Sequence, residues 1–357
     1  MRSRALAVSA ALVSALVVLA SCGSSSGNQS KPSASTSAST SASTSAGPSE
    51  SSSGATPSPT APAVPADTAV ASPVAASAMP QVTGDFGAKP TIKMPSTPPP
   101  DSLQRVILSE GSGPAVKAGD TVVVNYLGQV WGGGEFDNSF DRGESFTTQI
   151  GGAQRKVVAG WDVGLQGVKQ GSRVMLSFPP RDGYGSAGSA PKIKGTDTLV
   201  FVIDVISIYG VEVAGQADAT PQAVPSGWPI VGGKLGALPT IEVPKALPPP
   251  ATAGATLVAK GTGKPAQPGD VLVQYSAVAW DGSHTEQSWP DPTGKDPTAG
   301  AGPQAFPLSA SSPFAVLVGI PIGSRVLLRT PPETKSGVPA VAWVIDLIAQ
   351  ENVTPAS

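Results

Sequence analysis

The sequence has one cysteine, one histidine and few charges: 13% of its 357 residues are Asp, Glu, Lys or Arg, and 5% are aromatic. Each scarcity removes a class of function. A lone cysteine, Cys22, has no partner for an intrachain disulfide. The lone histidine, His284, lies in a polar stretch late in the chain, where it reads as a solvated loop residue. The earlier residues therefore have no imidazole for a Ser-His-Asp arrangement. No grouping of Cys, His and carboxylates has metal-site spacing. Gly132-Gly133-Gly134 is followed by neither a lysine nor a helix pattern, so it reads as hairpin geometry rather than a phosphate loop. No cofactor is expected. With 23 basic against 25 acidic residues there is no basic stripe, and nucleic acid is not an expected partner.

Long apolar runs are also scarce. One follows a basic start, from Ala5 to Ala20 after Met1–Arg4. It is shorter than the about 20 residues a membrane helix needs, and it reads as an export signal. It ends in Leu19-Ala20-Ser21-Cys22, which resembles the lipobox of bacterial lipoproteins. The resemblance implies a signal peptide over residues 1–21 and acylation of Cys22. The mature chain would then be exported and lipid-anchored at the extracytoplasmic face of a bacterial cell membrane. A signal peptide with an incidental cysteine is the alternative.

Glycine and proline, in contrast, are plentiful, at 41 and 38 residues, and they divide the chain. Residues 22–80 are mostly Ser, Thr, Ala, Pro and Gly with Lys31, Glu50 and Asp67 as the only charges, and no aromatic precedes Phe86. Such a segment cannot bury enough apolar surface to offset its conformational entropy and is expected to be a disordered tether. As a flexible coil its reach is about 40 Å.

Beyond it the chain repeats itself. GVKQGSRVMLSFPP at Gly167–Pro180 returns as GIPIGSRVLLRTPP at Gly319–Pro332, sharing Gly, Gly-Ser-Arg-Val, Leu and Pro-Pro in register. GDFGAKPTIKMPSTPPP from Gly84 returns as GKLGALPTIEVPKALPPP from Gly233. KAGDTVVVNYLGQVW at Lys117–Trp131 is answered by QPGDVLVQYSAVAW at Gln267–Trp280, and DTLVFVIDVI at Asp197–Ile206 by AVAWVIDLI at Ala340–Ile348. Blocks recurring in one order mean a tandem duplication. The expected domains are 81–210 and 228–350, with a linker at 211–227 and a tail at 351–357.

Within each copy Val122, Val124 and Tyr126 alternate, as do Leu199, Phe201, Ile203 and Val205, which is strand periodicity. One short helix fits around Trp161, Leu165 and Val168, whose spacing puts them on one face. The fold class expected is α+β: two tandem domains, each a twisted antiparallel sheet over a short helix.

The remaining chemistry is aromatic. Tyr126, Phe136, Phe146, Trp161, Tyr184 and Phe201 come from separate segments, with Asp137 beside Phe136. For any one of them a core position is the simpler reading. Together with Arg142, Val157-Val158, Gly160, Asp182-Gly183-Tyr184-Gly185 and Thr198–Phe201 they resemble the FKBP family of peptidyl-prolyl isomerases over nearly all of 103–208. The resemblance implies an FKBP-like fold and a catalytic set of Tyr126, Phe136, Asp137, Trp161, Tyr184 and Phe201. Trp161 would be the floor under the substrate proline, and Tyr126, Phe146, Val157, Val158 and Phe201 the walls. Phe136 and Asp137 would line one side, and the Tyr184 hydroxyl would bond the substrate backbone. Arg142 would pair with Asp137 or brace the nearby tyrosines. Between Gly188 and Thr198 the chain departs from the family: Ile193 still offers an apolar contact, but Lys192 and Lys194 make the rim more polar.

The second copy keeps the glycines and strands. Of the site it retains only Tyr275: Thr285-Glu286 replace Phe136-Asp137, Pro313-Phe314 fall at Trp161-Asp162, Trp343 replaces Phe201, and Tyr184 has no counterpart. It is expected to be a degenerate, non-catalytic FKBP-like domain. The expected partners are proline-containing polypeptides, chiefly secreted ones, and macrocyclic FKBP ligands. The alternative function is a non-catalytic chaperone or peptide-binding module using the same apolar cleft.

Overall fold

In a computed structural model, residues 68–71, 75–152, 156–291, 300–333 and 337–353 are described. The export run, Cys22 and the tether through residue 67 lie outside them.

The alternating valines around Tyr126 form a long strand at the centre of the first domain. In chain order this domain has a small hairpin, β1 (Gln81–Thr83) and β2 (Thr91–Lys93), then β3 (Gln104–Ser109), β4 (Thr121–Val130), β5 (Glu135–Asn138), β6 (Phe146–Gln149), helix α1 (Ala159–Gly164), β7 (Arg173–Phe178) and β8 (Leu199–Tyr209). The sheet runs β3-β7-β8-β4-β5, and β6 pairs with the first half of β4. Every pairing is antiparallel. The triple glycine makes the β4–β5 turn, closed by a bond from the Val130 amide to the Gly134 carbonyl (3.1 Å).

The second domain repeats the plan. β9 (Thr220–Pro221), the hairpin β10 (Ile230–Gly232) and β11 (Thr240–Glu242), and then β12 (Gly254–Lys260), β13 (Gly269–Ala279), β14 (Thr285–Gln287), β15 (Gln304–Pro307), β16 (Arg325–Thr330) and β17 (Val341–Val353) follow in order. Its sheet runs β14-β13-β17-β16-β12-β9, with β15 on β13. Apart from the added β9, that is the order of the first sheet.

The strands are apolar on both faces because both faces are covered. Residues of β7 alternate between two clusters. Val174, Leu176 and Phe178 join the main core with Trp161 and Leu165, while Met175 joins Met79, Val200 and Val202 on the other side. Val82 and Ile92 of the β1–β2 hairpin pack on that second cluster. Arg173 fastens the hairpin there. Its guanidinium makes two bonds to the Asp204 carboxylate (2.6 and 2.7 Å) and donates to the carbonyls of Gly84 (2.6 Å) and Ala88 (2.7 Å). Arg325 repeats this arrangement with Asp346, Lys234 and Ala237. Ser172 and Ser324, just before these arginines, accept from the amides of Gly111 and Gly261, each at 2.9 Å. The recurrent Gly-Ser-Arg is therefore scaffold, holding an accessory hairpin to the back of each sheet.

Four boundaries differ from the sequence reading. Residues 68–71 and 75–80, placed with the tether by composition, pack on the first domain: the Thr68 hydroxyl donates to Asp182 (2.6 Å), and Met79 is buried. The linker contributes β9, because Thr220 and Pro221 pair with Lys260 and Ala259. The last strand runs into the tail, where the Glu351 carboxylate accepts from the Tyr209 hydroxyl (2.6 Å). The helix is only Ala159–Gly164; Leu165 and Val168 stay buried but belong to a turn, closed by the Val168 amide on the Leu165 carbonyl (3.0 Å) with Gly167 inside it at φ 81°. A turn can carry an i, i+3 apolar pair as well as a helix can, so spacing alone did not separate them.

Candidate functional site

The expected residues converge between the sheet and α1. Tyr126 and Phe201 lie on neighbouring central strands, with Tyr126 opposite Ile203 and Gly128 opposite Phe201. Trp161 rises from the helix and meets both rings edge-on, at 5.4 Å from Tyr126 and 5.2 Å from Phe201. Phe146 on β6 closes the other side, 5.8 Å from Tyr126 and 6.2 Å from Trp161. Phe136 on β5 packs edge-on against Phe201 at 5.4 Å. Edge-to-face pairs of this kind add about 0.5–1.5 kcal/mol each beyond area burial, so the cluster holds its own shape.

Gly128 permits the contact between those last two rings. A β-carbon there would lie 2.6 Å from Phe136 Cζ and 2.9 Å from Phe201 Cε1, nearer than packed carbons come. Gly160 does the same for the helix, where a side chain would collide with Phe178. Phe178 itself stacks on Phe201 at 5.6 Å and 17°. It supports the cleft from behind and was not singled out in the sequence; its place beside the repeated Pro-Pro was the only hint.

Val157, Val158 and Ile193 are buried in the same cluster, and Tyr184 packs against it half-buried. Thus all eleven expected cleft residues come together. The polar ones form one network. Asp137 accepts from the Tyr126 hydroxyl and pairs with Arg142. Arg142 Nη2 also reaches the Tyr126 oxygen at 3.1 Å, so it takes both of its expected roles. The Tyr184 hydroxyl, by contrast, has no hydrogen-bond partner among the described residues. Trp161 Nε1 is buried and likewise unpartnered. Buried donors are ordinarily satisfied, so the Trp161 indole and, at its half-buried position, the Tyr184 hydroxyl are open valences among the described residues of the site.

Burial also sets the tyrosine chemistry. It pushes the Tyr126 phenol up to about 12, helped by its bond to Asp137. Tyr184 is raised by burial and then by the charge of Asp137. Tyr209 and Tyr275 are raised by burial together with Glu351 and Glu286. These are all 4 tyrosines of the chain. The unfolded chain ionises them near pH 10, where the folded protein keeps its protons. The unfolded state then binds fewer protons, so stability is whole below about pH 10 and falls as pH rises through the range above it. An absorbance titration of the folded protein should show no tyrosinate step near pH 10, and the urea-unfolded chain should show all of them there. A step near pH 10 in the folded protein would contradict the burial.

The second domain is built differently at the same place. Tyr275 donates to Glu286 at 2.6 Å, repeating the Tyr126–Asp137 pair. Phe314, on a short 3-10 turn (Pro313–Leu317) instead of an α-helix, lies 4.2 Å from Phe306 and 5.6 Å from Trp343. Phe306 was not foreseen; it sits opposite Val271, two positions along from where Phe146 would correspond. Tyr275, Phe306, Phe314 and Trp343 are all buried. The Trp343 indole is satisfied by Thr330 Oγ1 at 3.3 Å. The rings fill one another's space, and neither open valence recurs.

A family model described as FKBP-type peptidyl-prolyl cis-trans isomerase matches residues 113–206, within the first domain. The chain is 40% identical to the FK506-binding protein of Streptomyces anulatus over 122 residues, which are 34% of this chain and 97% of that protein. It is 41% identical to the FKBP-type peptidyl-prolyl cis-trans isomerase FkpA of Escherichia coli (strain K12) over 117 residues, 33% of this chain and 40% of FkpA. The crystal structure of FkpA from Escherichia coli matches with 38% identity over 30% of this chain and 49% of that one, at a TM-score of 0.28. The chain thus spans less than half the length of FkpA.

Proposed function

Since the chain belongs to the FKBP-type peptidyl-prolyl cis-trans isomerase family, we propose that its first domain speeds cis–trans exchange of X-Pro bonds in exported polypeptides. The observation that carries this reading is the aromatic cleft over Trp161, with the Tyr184 hydroxyl left free at its edge.

Rotation about a peptide bond faces a barrier of about 18–20 kcal/mol because amide resonance must be broken. An X-Pro bond already populates both isomers, so a catalyst has only to hasten their exchange. The planar amide is the more dipolar form and is the one water stabilises. A cleft walled by Tyr126, Phe146, Phe201, Val157 and Val158 withdraws that water and favours the twisted amide. Each 1.36 kcal/mol of such difference is tenfold in rate. The proline ring rests on Trp161. The Tyr184 hydroxyl donates to a substrate carbonyl, and its neutral phenol is the form able to do so. Asp137 is engaged by Tyr126 and Arg142, so it keeps the wall in place. Phe136 and Ile193 close the rim. No nucleophile or general base enters.

The second domain, with its rings packed together and no counterpart of Tyr184, is a non-catalytic FKBP-like repeat. Its retained scaffold supports the reading of a duplicated domain that has lost its cleft. The Ala5–Ala20 run and Cys22 support an exported protein, lipid-anchored at the outer face of a bacterial membrane and acting on secreted chains. The name of the Streptomyces relative says that it binds FK506; macrocyclic ligands of that kind are proposed to compete for the cleft here.

Exchange spectroscopy on a Leu-Pro peptide with the full chain tests the reading. Acceleration should be seen, and Tyr184→Phe should lower kcat/KM about three- to tenfold, the worth of one hydrogen bond of about 1 kcal/mol. Absence of any acceleration would sink the isomerase reading and leave a peptide-binding module.

A further inference from the structure

Beside the cleft lies a second opening of about 460 Å3, lined by the β4–β5 turn from Val130 to Glu135 and by Lys192, Lys194 and Asp197. The segment bearing the lysines is firmly folded. Ser189 and Ile193 exchange both backbone hydrogen bonds (2.8 and 2.9 Å), and the Lys194 amide donates to Asp197 Oδ2 at 2.7 Å. Gly188 and Gly195 allow the segment to close on itself, since a side chain on either would strike the backbone of Ile193 or Ser186. Ile193 turns inward to the cleft wall, and the exposed lysines on either side of it line the groove.

The polar groups of this groove are not symmetric in what they have left to offer. Glu135 already accepts from Lys89 (3.2 Å) and from Asn138. Asp197 is occupied with the Lys194 amide. Lys192 Nζ gives one bond, to the Phe136 carbonyl (2.6 Å), and among the described residues it forms no ion pair. Lys194 Nζ has no partner among the described residues. An ammonium carries three donors and no acceptor. Glu135 is ion-paired to Lys89 and Asp197 holds the Lys194 amide through one oxygen, while both lysines keep donors to spare. The chemistry that completes the groove is an anionic acceptor.

The groove also adjoins the cleft: Glu135 precedes Phe136, and Lys192 is bonded to the Phe136 carbonyl itself. A polypeptide whose proline lies on Trp161 advances about 3.3 Å per extended residue, so a residue close to that proline reaches the lysines. We propose that this groove is a specificity subsite that takes the carboxylate of an aspartate or glutamate flanking the client proline. The inference rests on the isomerase reading and names the clients that reading prefers.

The test uses the full chain and two pairs of peptides. One pair has Glu or Gln immediately before proline; the other has Glu or Gln two residues after it. In at least one pair the Glu peptide should show about two- to fivefold higher kcat/KM, the range an exposed ion pair supplies. That preference should fall to near unity in about 1 M salt, where the Debye length is about 3 Å. Lys194→Gln should weaken it, and Lys194→Glu should bring the ratio to one or below. Equal rates for Glu and Gln in both pairs, with the Gln peptides accelerated, would overturn this inference and leave the isomerase reading standing. Acceleration of none of the four peptides would overturn the isomerase reading and this one with it. A preference that survives Lys194→Glu and high salt would assign it to another part of the protein and would also overturn the inference.

Discussion

Trp161→Ala is expected to lower kcat/KM for X-Pro exchange by at least about tenfold, while Trp343→Ala leaves it within about twofold. Tenfold corresponds to 1.36 kcal/mol of lost transition-state preference. Trp161 touches Tyr126, Phe146 and Phe201 at once, and as the proposed floor of the cleft its removal would let water reach the amide as well as the walls. Both tryptophans are buried, at 3% and 1% exposure, so either truncation costs about 3–5 kcal/mol of stability in its own domain. The pair therefore separates chemistry from folding. The assay belongs at a temperature where circular dichroism shows both variants folded, with Trp161→Phe as a milder companion. Equal losses from the two truncations would mean that the second domain takes part in catalysis. No loss from Trp161→Ala would remove the cleft from the mechanism.

The larger effect on stability comes from Arg173. Its side chain is 2% exposed and that of Asp204 is fully buried, so neither charge is solvated without the other. Truncation of one partner in such a pair costs about 3–5 kcal/mol, because the survivor stays buried without compensation. Arg173→Ala should lower the denaturant midpoint of the first domain accordingly. It should also release residues 81–93 to hydrogen exchange, since the Gly84 and Ala88 carbonyls lose their donor. Asp204→Ala should act alike, with an added loss where the Gly87 amide donates to it (2.7 Å). The double replacement Arg173→Met with Asp204→Leu should be much less harmful than the sum of the single changes, because no orphan charge remains. A loss under about 1 kcal/mol for Arg173→Ala would show that the pair is not what secures the hairpin. Arg325 and Asp346 make the corresponding prediction for the second domain.

Much of this was legible in residue order. Alternation at Val122, Val124 and Tyr126 marks a strand because side chains on a pleated backbone change face at every residue. The recurrence of Gly-Ser-Arg announced a duplication, and the same strand order followed in both sheets. What the recurrence was for could not be read from it. Arg173 resembles any surface arginine until β7 and β8 are paired, which brings Asp204 from 31 residues away beneath it. The short helix was overextended for a similar reason: Leu165 and Val168 keep helical spacing while serving as a turn. Composition likewise assigned Met79 to the tether, although it sits on the back of the sheet beside Met175 and Val202.

The sequence by itself determined the recurring blocks, the strand pattern and the set of aromatic residues that meet at Trp161. It also showed which of them the second copy lacks, because each of those facts lies in residue type and spacing along the chain. Only the tertiary structure decided that Phe178 backs the cleft and that Phe306 helps to fill the second domain's. It likewise decided that Tyr184 and Trp161 keep free donors while Trp343 does not, and that Lys192 and Lys194 face one groove. These depend on which atoms are neighbours across strand pairings and turns, and burial, hydrogen-bond satisfaction and electrostatics act between neighbours in space.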